Sequence, residues 1–193
     1  MKQLIVILLV AIIPLTGYAE VPGEAPVQQF VPTSSQKGVR ISTDVFAIAL
    51  PAAALVGTLC LKDWTGLVQG VETAAVTAAA TLILKYSIKE RRPDGSDMHS
   101  FPSGHTAVSF ASAAYVQRRY GWKFGIPAYA LSCYVAWGRC YSKKHHWYDV
   151  LAGAAIGAGS AYIFTRPWAK KHNLQIAPTS NGTNIGLYAS FEF

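Results

Sequence analysis

Charge is scarce in this sequence. Only 14% of its 193 residues are Asp, Glu, Lys or Arg, against roughly 25% in an average soluble domain. With 51% apolar residues, the composition excludes a disordered chain and argues against a heavily charged soluble surface. Cysteine is scarce too. Cys60, Cys133 and Cys140 form an odd set, so they build no disulfide framework, and no C-x-x-C pair suggests a metal site. Cys60 and Cys133 fall in apolar stretches, where a free cysteine behaves as a small buried hydrophobe, and all three read as structural. Acidic residues number 10 against 17 basic ones, for a net charge of +7. No acidic cluster suits Mg²⁺ or Zn²⁺, so the sequence calls for no metal and no other cofactor. The basic balance suits anionic partners: nucleic acid, anionic lipid headgroups or phosphate compounds.

The order of the residues narrows that choice. Residues 1–19 carry Lys2, an apolar run from Leu4 to Ile13, and Gly17-Tyr18-Ala19 before Glu20. This is either a cleaved signal peptide or an uncleaved N-terminal anchor helix. No cysteine follows the run, which excludes lipoprotein processing. On either reading the chain is exported and nucleic acid drops out as a partner. Residues 20–43, rich in Pro, Gly, Ser and Gln, read as an extended arm. Residues 44–168 form a helical domain and 169–193 a C-terminal tail.

Long apolar runs are few. Five stretches, 45–61, 65–84, 104–116, 124–138 and 150–165, lack β-alternation and predict helices. A membrane-spanning helix wants about 20 apolar residues, with a lower limit near 17, and three of these stretches are shorter. Charge placement compensates. If the helices alternate from an exported N-terminus, the turns at 62–64 and 117–123 and the tail at 166–172 face the cytoplasm. The last two hold most of the basic excess, and Trp64, Trp122 and Trp168 share that interface. The predicted fold is all-α: about five core helices in a transmembrane bundle, with a compact soluble bundle as the alternative. The terminal IGLYASFEF alternates like a barrel strand. A barrel needs at least eight strands of about ten residues, so a short C-terminal β-strand or a loose tail is the reading. Gly66/Gly70 and Gly153/Gly157, each four apart, would let neighbouring helices approach closely. Glu72, alone in an apolar stretch, is either a solvated or hydrogen-bonded acid or a functional intramembrane one; the first reading is preferred.

Three polar clusters interrupt the apolar background. In Lys85-Tyr86-Ser87-Ile88-Lys89-Glu90-Arg91-Arg92-Pro93, a continuous helix would set Lys85 and Arg92 on one face, where an ammonium and a guanidinium suit a phosphate. Lys89 and Arg91 belong to a solvated turn. In Pro102-Ser103-Gly104-His105, Ser103 is a helix N-cap and Gly104 permits close backbone approach. The N–H groups there form an anion site with His105 at its rim. In the third cluster, Gly138 to Asp149, His145 and Asp149 are one helical turn apart. The carboxylate can fix the tautomer and leave the other ring nitrogen free as nucleophile or base. His146 and His99 have no such partner and read as bystanders. Alternating helices bring all three clusters to one end of the bundle, opposite the basic turns.

Lys85-x6-Arg92-Pro93, Pro102-Ser103-Gly104-His105 and Arg139-x5-His145-x3-Asp149 together resemble the three-part signature of the type 2 phosphatidic acid phosphatase family. That family includes class A acid phosphatases and vanadium haloperoxidases. In helix order and length the chain is similar to small exported lipid phosphatases, lipid A phosphatases among them. The family has Ser before the third-motif Arg, where this chain has Gly138. The resemblance implies hydrolysis of a lipid phosphomonoester or diphosphate without a metal. His145, oriented by Asp149, would be the nucleophile and His105 the acid and base. Lys85, Arg92, Ser103, Gly104 and Arg139 would hold the phosphate. It further implies a bacterial inner-membrane location with the site facing the periplasm, and a phosphorylated lipid and the membrane as partners. A soluble periplasmic phosphatase for small esters is the alternative, and a non-catalytic phosphate-binding protein is a third reading.

Overall fold

The computed structural model describes residues 30–168 with 175–180 and 185–190. Five helices follow in order: α1 (Ser34–Cys60), α2 (Trp64–Ser87), α3 (Gly104–Tyr120), α4 (Trp122–Tyr141) and α5 (Trp147–Phe164). Two strands, β1 (Gln175–Ser180) and β2 (Ile185–Ser190), pair antiparallel with Gln175 opposite Ser190. The expected terminal strand is therefore half of a hairpin. The expected signal or anchor segment, residues 1–19, lies outside the described residues.

Each helix exceeds its apolar stretch or carries it past a polar end. The largest difference is at α1, which starts ten residues inside the expected extended arm. A capping box explains this. Gln36 N donates to Thr33 Oγ1 at 3.3 Å while Thr33 N donates to Gln36 Oε1 at 2.9 Å, so two otherwise orphaned donors are satisfied at a polar start. The amphipathic turn Val39-Arg40-Ile41-Ser42-Thr43-Asp44 is then helical, and it proves to line the site. At the other end of α1, Asp63 caps α2 by accepting from Gly66 N at 2.9 Å.

Helix α3 is the hub. Most of its buried residues are small, Ala107, Ser109, Ala111, Ser112, Ala113 and Ala114 among them, which lets other helices come near its backbone; Tyr115 and Arg119, nearer its C-terminal end, are the large ones. Gly153 and Gly157 make the approach of α5 to α3 closest. A Cβ on Gly153 would stand 2.5 Å from Ser103 O, and one on Gly157 would overlap Ala107 O. The second glycine pair acts differently: Gly66 abuts the Asp63 side chain, and Gly70 packs on the Tyr115 ring.

Because small residues and hydroxyls fill the centre, the large apolar side chains face outward. Ile48, Leu55, Val68, Ile83, Leu151 and Ile163 are all exposed, a distribution that a water-soluble bundle avoids. α1 and α2 are long and apolar enough to cross a membrane, and only 22% and 17% of their most apolar stretches are buried within the protein. A buried core helix of a soluble protein would be mostly covered. Cys60 and Cys133 lie on this outer surface, contrary to the expected burial; apolar neighbours in sequence do not say which face of a helix turns inward. Glu72 is also exposed.

Candidate active site

The C-terminal ends of α2 and α4 and the N-terminal ends of α3 and α5 meet at one end of the bundle, where the three clusters come together. Lys85 occupies the last turn of α2, but Arg92 does not share its helix. Ile88 turns extended, and the residue before Pro93 is itself biased away from helix. The chain instead doubles back: Glu90 N donates to Met98 O and Arg92 N to Asp97 O, both at 3.0 Å. That return, not helical spacing, reunites the cations. Lys85 Nζ donates to His99 O and Pro102 O at 2.9 Å each, and Arg92 Nη2 reaches the same His99 carbonyl at 3.5 Å. Asp97 steadies Arg92 through Nε at 2.8 Å. Thus His99 contributes its backbone rather than its imidazole. Lys89 and Arg91 are exposed, as expected.

Ser103 stands at the N-cap position of α3, yet its hydroxyl makes no cap hydrogen bond and pairs with Thr106 Oγ1 at 3.0 Å. The first N–H groups of the helix are therefore not capped by a side chain and remain suited to an anion. The backbone of Ser103 donates to Asp149 O at 3.0 Å, tying the starts of α3 and α5 together. Gly104 faces Thr81 of α2, at 3.7 Å from where its Cβ would be.

Asp149 is fully buried. Its Oδ2 accepts from Ser100 Oγ at 2.5 Å and His146 N at 2.8 Å, while Oδ1 has no partner among the described residues. His145 Nδ1 lies 3.6 Å from Oδ2, an ion-pair contact longer than a hydrogen bond, and that nitrogen has no hydrogen-bond partner there either. Burial pushes the His145 imidazole below its ordinary value; Asp149 opposes the shift, while Arg92 and Lys85 add to it. The shift favours the neutral imidazole, the form a nucleophile needs. His146 is not a bystander. It caps α5, and its Nδ1 stands 3.3 Å from Asp149 Oδ2 and 3.4 Å from Glu90 Oε1.

Arg139, only 3% exposed, ends α4. Its Nη2 donates to Thr43 Oγ1 at 3.0 Å and to the Asp44 carboxylate, while Nε is unpartnered among the described residues. Asp44 Oδ1 also lies 3.1 Å from His105 Nε2. The departure at Gly138 now has a physical reason. A Cβ there would overlap the Thr43 side chain, so the missing side chain admits α1, and Thr43 brings a hydroxyl to the neighbouring arginine.

Sequence reading missed Asp44, Thr43, Ser100 and Glu90. Asp44 carried a faint signal, as a lone carboxylate at the polar start of an apolar stretch; the others carried none. Glu90, His146 and Asp149 bring ligand-type atoms within 4.8 Å of one another, a donor set that could hold a cation. Their protein contacts already engage it. The Tyr148 hydroxyl donates to Glu90. Burial raises the Glu90 carboxyl above its ordinary value, Tyr148 opposes this, and the charge of Asp149 adds to it.

A buried imidazole beside a carboxylate, a second imidazole, and three cations with an uncapped helix start make an arrangement whose chemistry suits a phosphate group. Residues 46–172 match the PAP2 superfamily, and the chain belongs to it. It is 38% identical over 76 residues to the lipid A 1-phosphatase of Porphyromonas gingivalis, covering 38% of this chain and 17% of that protein. It is 30% identical over 129 residues to the lipid A 4'-phosphatase of Helicobacter pylori, covering 60% of this chain and 65% of that one. The matches thus span less than two thirds of either relative. The crystal structure of Aquifex aeolicus LpxE superposes with a TM-score of 0.54, covering 71% of this chain and 96% of that one at 18% identity, which shows a shared fold.

Proposed function

We propose that this chain is a metal-independent phosphatase that hydrolyses a phosphomonoester or diphosphate of a membrane lipid from the periplasmic face of the inner membrane. The observation that carries this reading is the convergence of His145, Asp149 and His105 with Lys85, Arg92 and Arg139 at the end of a bundle whose outer surface is apolar. Asp149, 3.6 Å from Nδ1 of His145, closes on that nitrogen as charge builds on the ring, and Nε2 attacks phosphorus in line, forming a phosphorus–nitrogen bond as the ester oxygen leaves. His105 gives that oxygen its proton. Water then attacks the phosphohistidine, His105 takes the water's proton, and the bond to His145 breaks to free phosphate. Lys85, Arg92, Arg139, the Ser103 hydroxyl and the N–H of Gly104 bind the non-bridging oxygens, whose charge rises and redistributes along the path.

A lipid substrate is favoured over a small ester by an apolar groove of about 260 Å³ between α1, α2 and α3, lined by Leu55, Leu67, Val71, Ala74 and Val108 among others. Its Thr77 and Val108 lie one turn from Thr81 and Gly104 at the site, so an acyl chain in the groove would place its phosphate near the cations. The named activities of the lipid A phosphatase relatives agree with such a substrate.

Phosphate release by detergent-purified protein with EDTA tests this. The panel would compare phosphatidate, phosphatidylglycerophosphate, a polyprenyl diphosphate and lipid A with a small aryl phosphate, with His145→Ala as control. Lipid preference that is lost in the variant is the expected result. Equal turnover of the small ester would favour a soluble-type phosphatase, and activity only with added metal would move attention to Glu90, His146 and Asp149. Labelling of a cysteine placed at Ser96 in intact cells would report which side the site faces.

A further inference from the structure

We propose that Asp44 is a positioning residue that orients His105 and favours the ring's taking up its proton, forming a second carboxylate–imidazole pair across the pocket from Asp149 and His145. The proposal rests on His105 being the acid and base of the reaction. Asp44 belongs to α1, outside the three motifs. Its Oδ1 is 3.1 Å from His105 Nε2, and the same oxygen accepts from Arg139 Nη2. One turn of α1 is locked in place here. Gly138 admits Thr43 against α4, and Thr43 Oγ1 binds the same Arg139 nitrogen at 3.0 Å. Asp44 is thus held at the pocket by its neighbour's packing, although its own side chain is 41% exposed.

The charges around His105 give this contact its purpose. Facing the imidazole are Arg139 from α4, Arg92 from the α2–α3 loop, His145 from the α4–α5 loop and Asp44 from α1. Among these the carboxylate is the only anion. An acid catalyst must carry a proton until the leaving oxygen takes it, and two guanidinium groups nearby oppose that. A carboxylate at hydrogen-bond distance favours the protonated ring and fixes its plane. With Nε2 committed to Asp44, Nδ1 is left to serve the leaving oxygen.

Leaving-group dependence separates this role from a structural one. An alkoxide leaving from a lipid phosphate needs a proton, whereas 4-nitrophenolate leaves well without one. Single-turnover release of the leaving group would be measured for phosphatidate and for 4-nitrophenyl phosphate with wild type, Asp44→Asn, Asp44→Glu and His105→Ala. We expect Asp44→Asn to slow the lipid reaction about 10- to 100-fold and the aryl reaction less than about threefold. His105→Ala should show the same pattern more strongly, and Asp44→Glu should recover part of the loss. Since Asp44 also touches Arg139, any change in phosphate binding would affect both substrates alike, and the difference between them isolates His105. Equal losses on both substrates, or tighter binding of both with an unchanged rate, would overturn the proposal for Asp44 alone. If His105→Ala itself made no distinction between the substrates, the assignment of His105 would fail and take this proposal with it.

Discussion

Two arginines at opposite ends of the bundle are buried to nearly the same degree, Arg119 at 2% exposure and Arg139 at 3%, yet their surroundings differ. Away from the site, Arg119 grips Asp63 through Nε at 2.6 Å and Nη2 at 2.5 Å, and Nη1 donates to Arg166 O at 2.9 Å. Tyr120 adds its hydroxyl to Asp63 at 3.2 Å and to Thr58 at 2.9 Å, and Thr58 pairs with Tyr115 at 2.9 Å. This network is closed. Burial raises the Asp63 carboxyl, but Arg119 and Gly66 N more than offset it, leaving Asp63 below its ordinary value. At the site end, Arg139 loads one nitrogen with all its contacts while Nε has no partner, and the same holds for Asp149 Oδ1 and His145 Nδ1 among the described residues. Buried polar groups are ordinarily satisfied. A saturated end clamps the chain, whereas at the site end Arg139 Nε is a donor left for an anionic ligand that brings its own oxygens.

The sharpest way to break this comparison is to remove each arginine in turn. Arg119→Ala leaves Asp63 buried and unpaired, so it should cost about 3–5 kcal/mol of stability, read from thermal or denaturant unfolding in detergent. The folded fraction should keep its turnover per molecule. Arg139→Ala should instead lower kcat/KM by about 10²- to 10³-fold with little change in unfolding midpoint. An Arg139 variant that unfolds, or a folded Arg119 variant without activity, would reverse the roles assigned to the two ends.

A smaller effect is expected where α1 meets α4. Gly138→Ser restores the residue the family carries but drives it into Thr43, and should cost about 1–3 kcal/mol. Thr43→Ala in the same chain should recover most of that loss in a thermal unfolding assay. If Gly138→Ser alone is neutral, α1 does not pack there as described.

Acidity gives the smallest and most graded effect. The folded value of His145 lies below that of the unfolded chain, so the unfolded state binds more protons in the window between the two values. The stability tied to neutral His145 is complete above the ordinary imidazole value of about 6.5 and is lost as pH falls through the folded value. Activity should follow the same group, with an acid limb in kcat/KM below about pH 6.5. A limb at or above that value would mean His145 is not the group being titrated.

Much of the site was legible because its motifs sit at helix ends. His145 and Asp149 are close in sequence, although His145 sits in the loop before α5 rather than on the expected helical turn, and Ser103-Gly104 announces the start of α3. The helices were legible as apolar stretches without β-alternation, although α1 was cut short because its polar first turns look like linker in composition. Arg92 was legible as a residue and not as a position: Lys85 and Arg92 meet through a chain reversal, not along a helix. His146 was misread for a related reason, since its partners Glu90 and Asp149 come from separate clusters.

By itself the sequence determined the helical class, the three motifs and their gathering at one end, since each depends on spacing along the chain or on helix alternation. Only the tertiary structure decided what completes the pocket. Asp44 meets His105 and Arg139 across 61 and 95 residues of sequence, Ser100 reaches Asp149 from another loop, and Gly138 matters for the helix it admits. Such contacts follow from how closely two backbones approach. That distance is set by the small residues between them, Gly138 beneath Thr43 and Gly153 and Gly157 against α3, and it has no signature in the neighbours of any one residue.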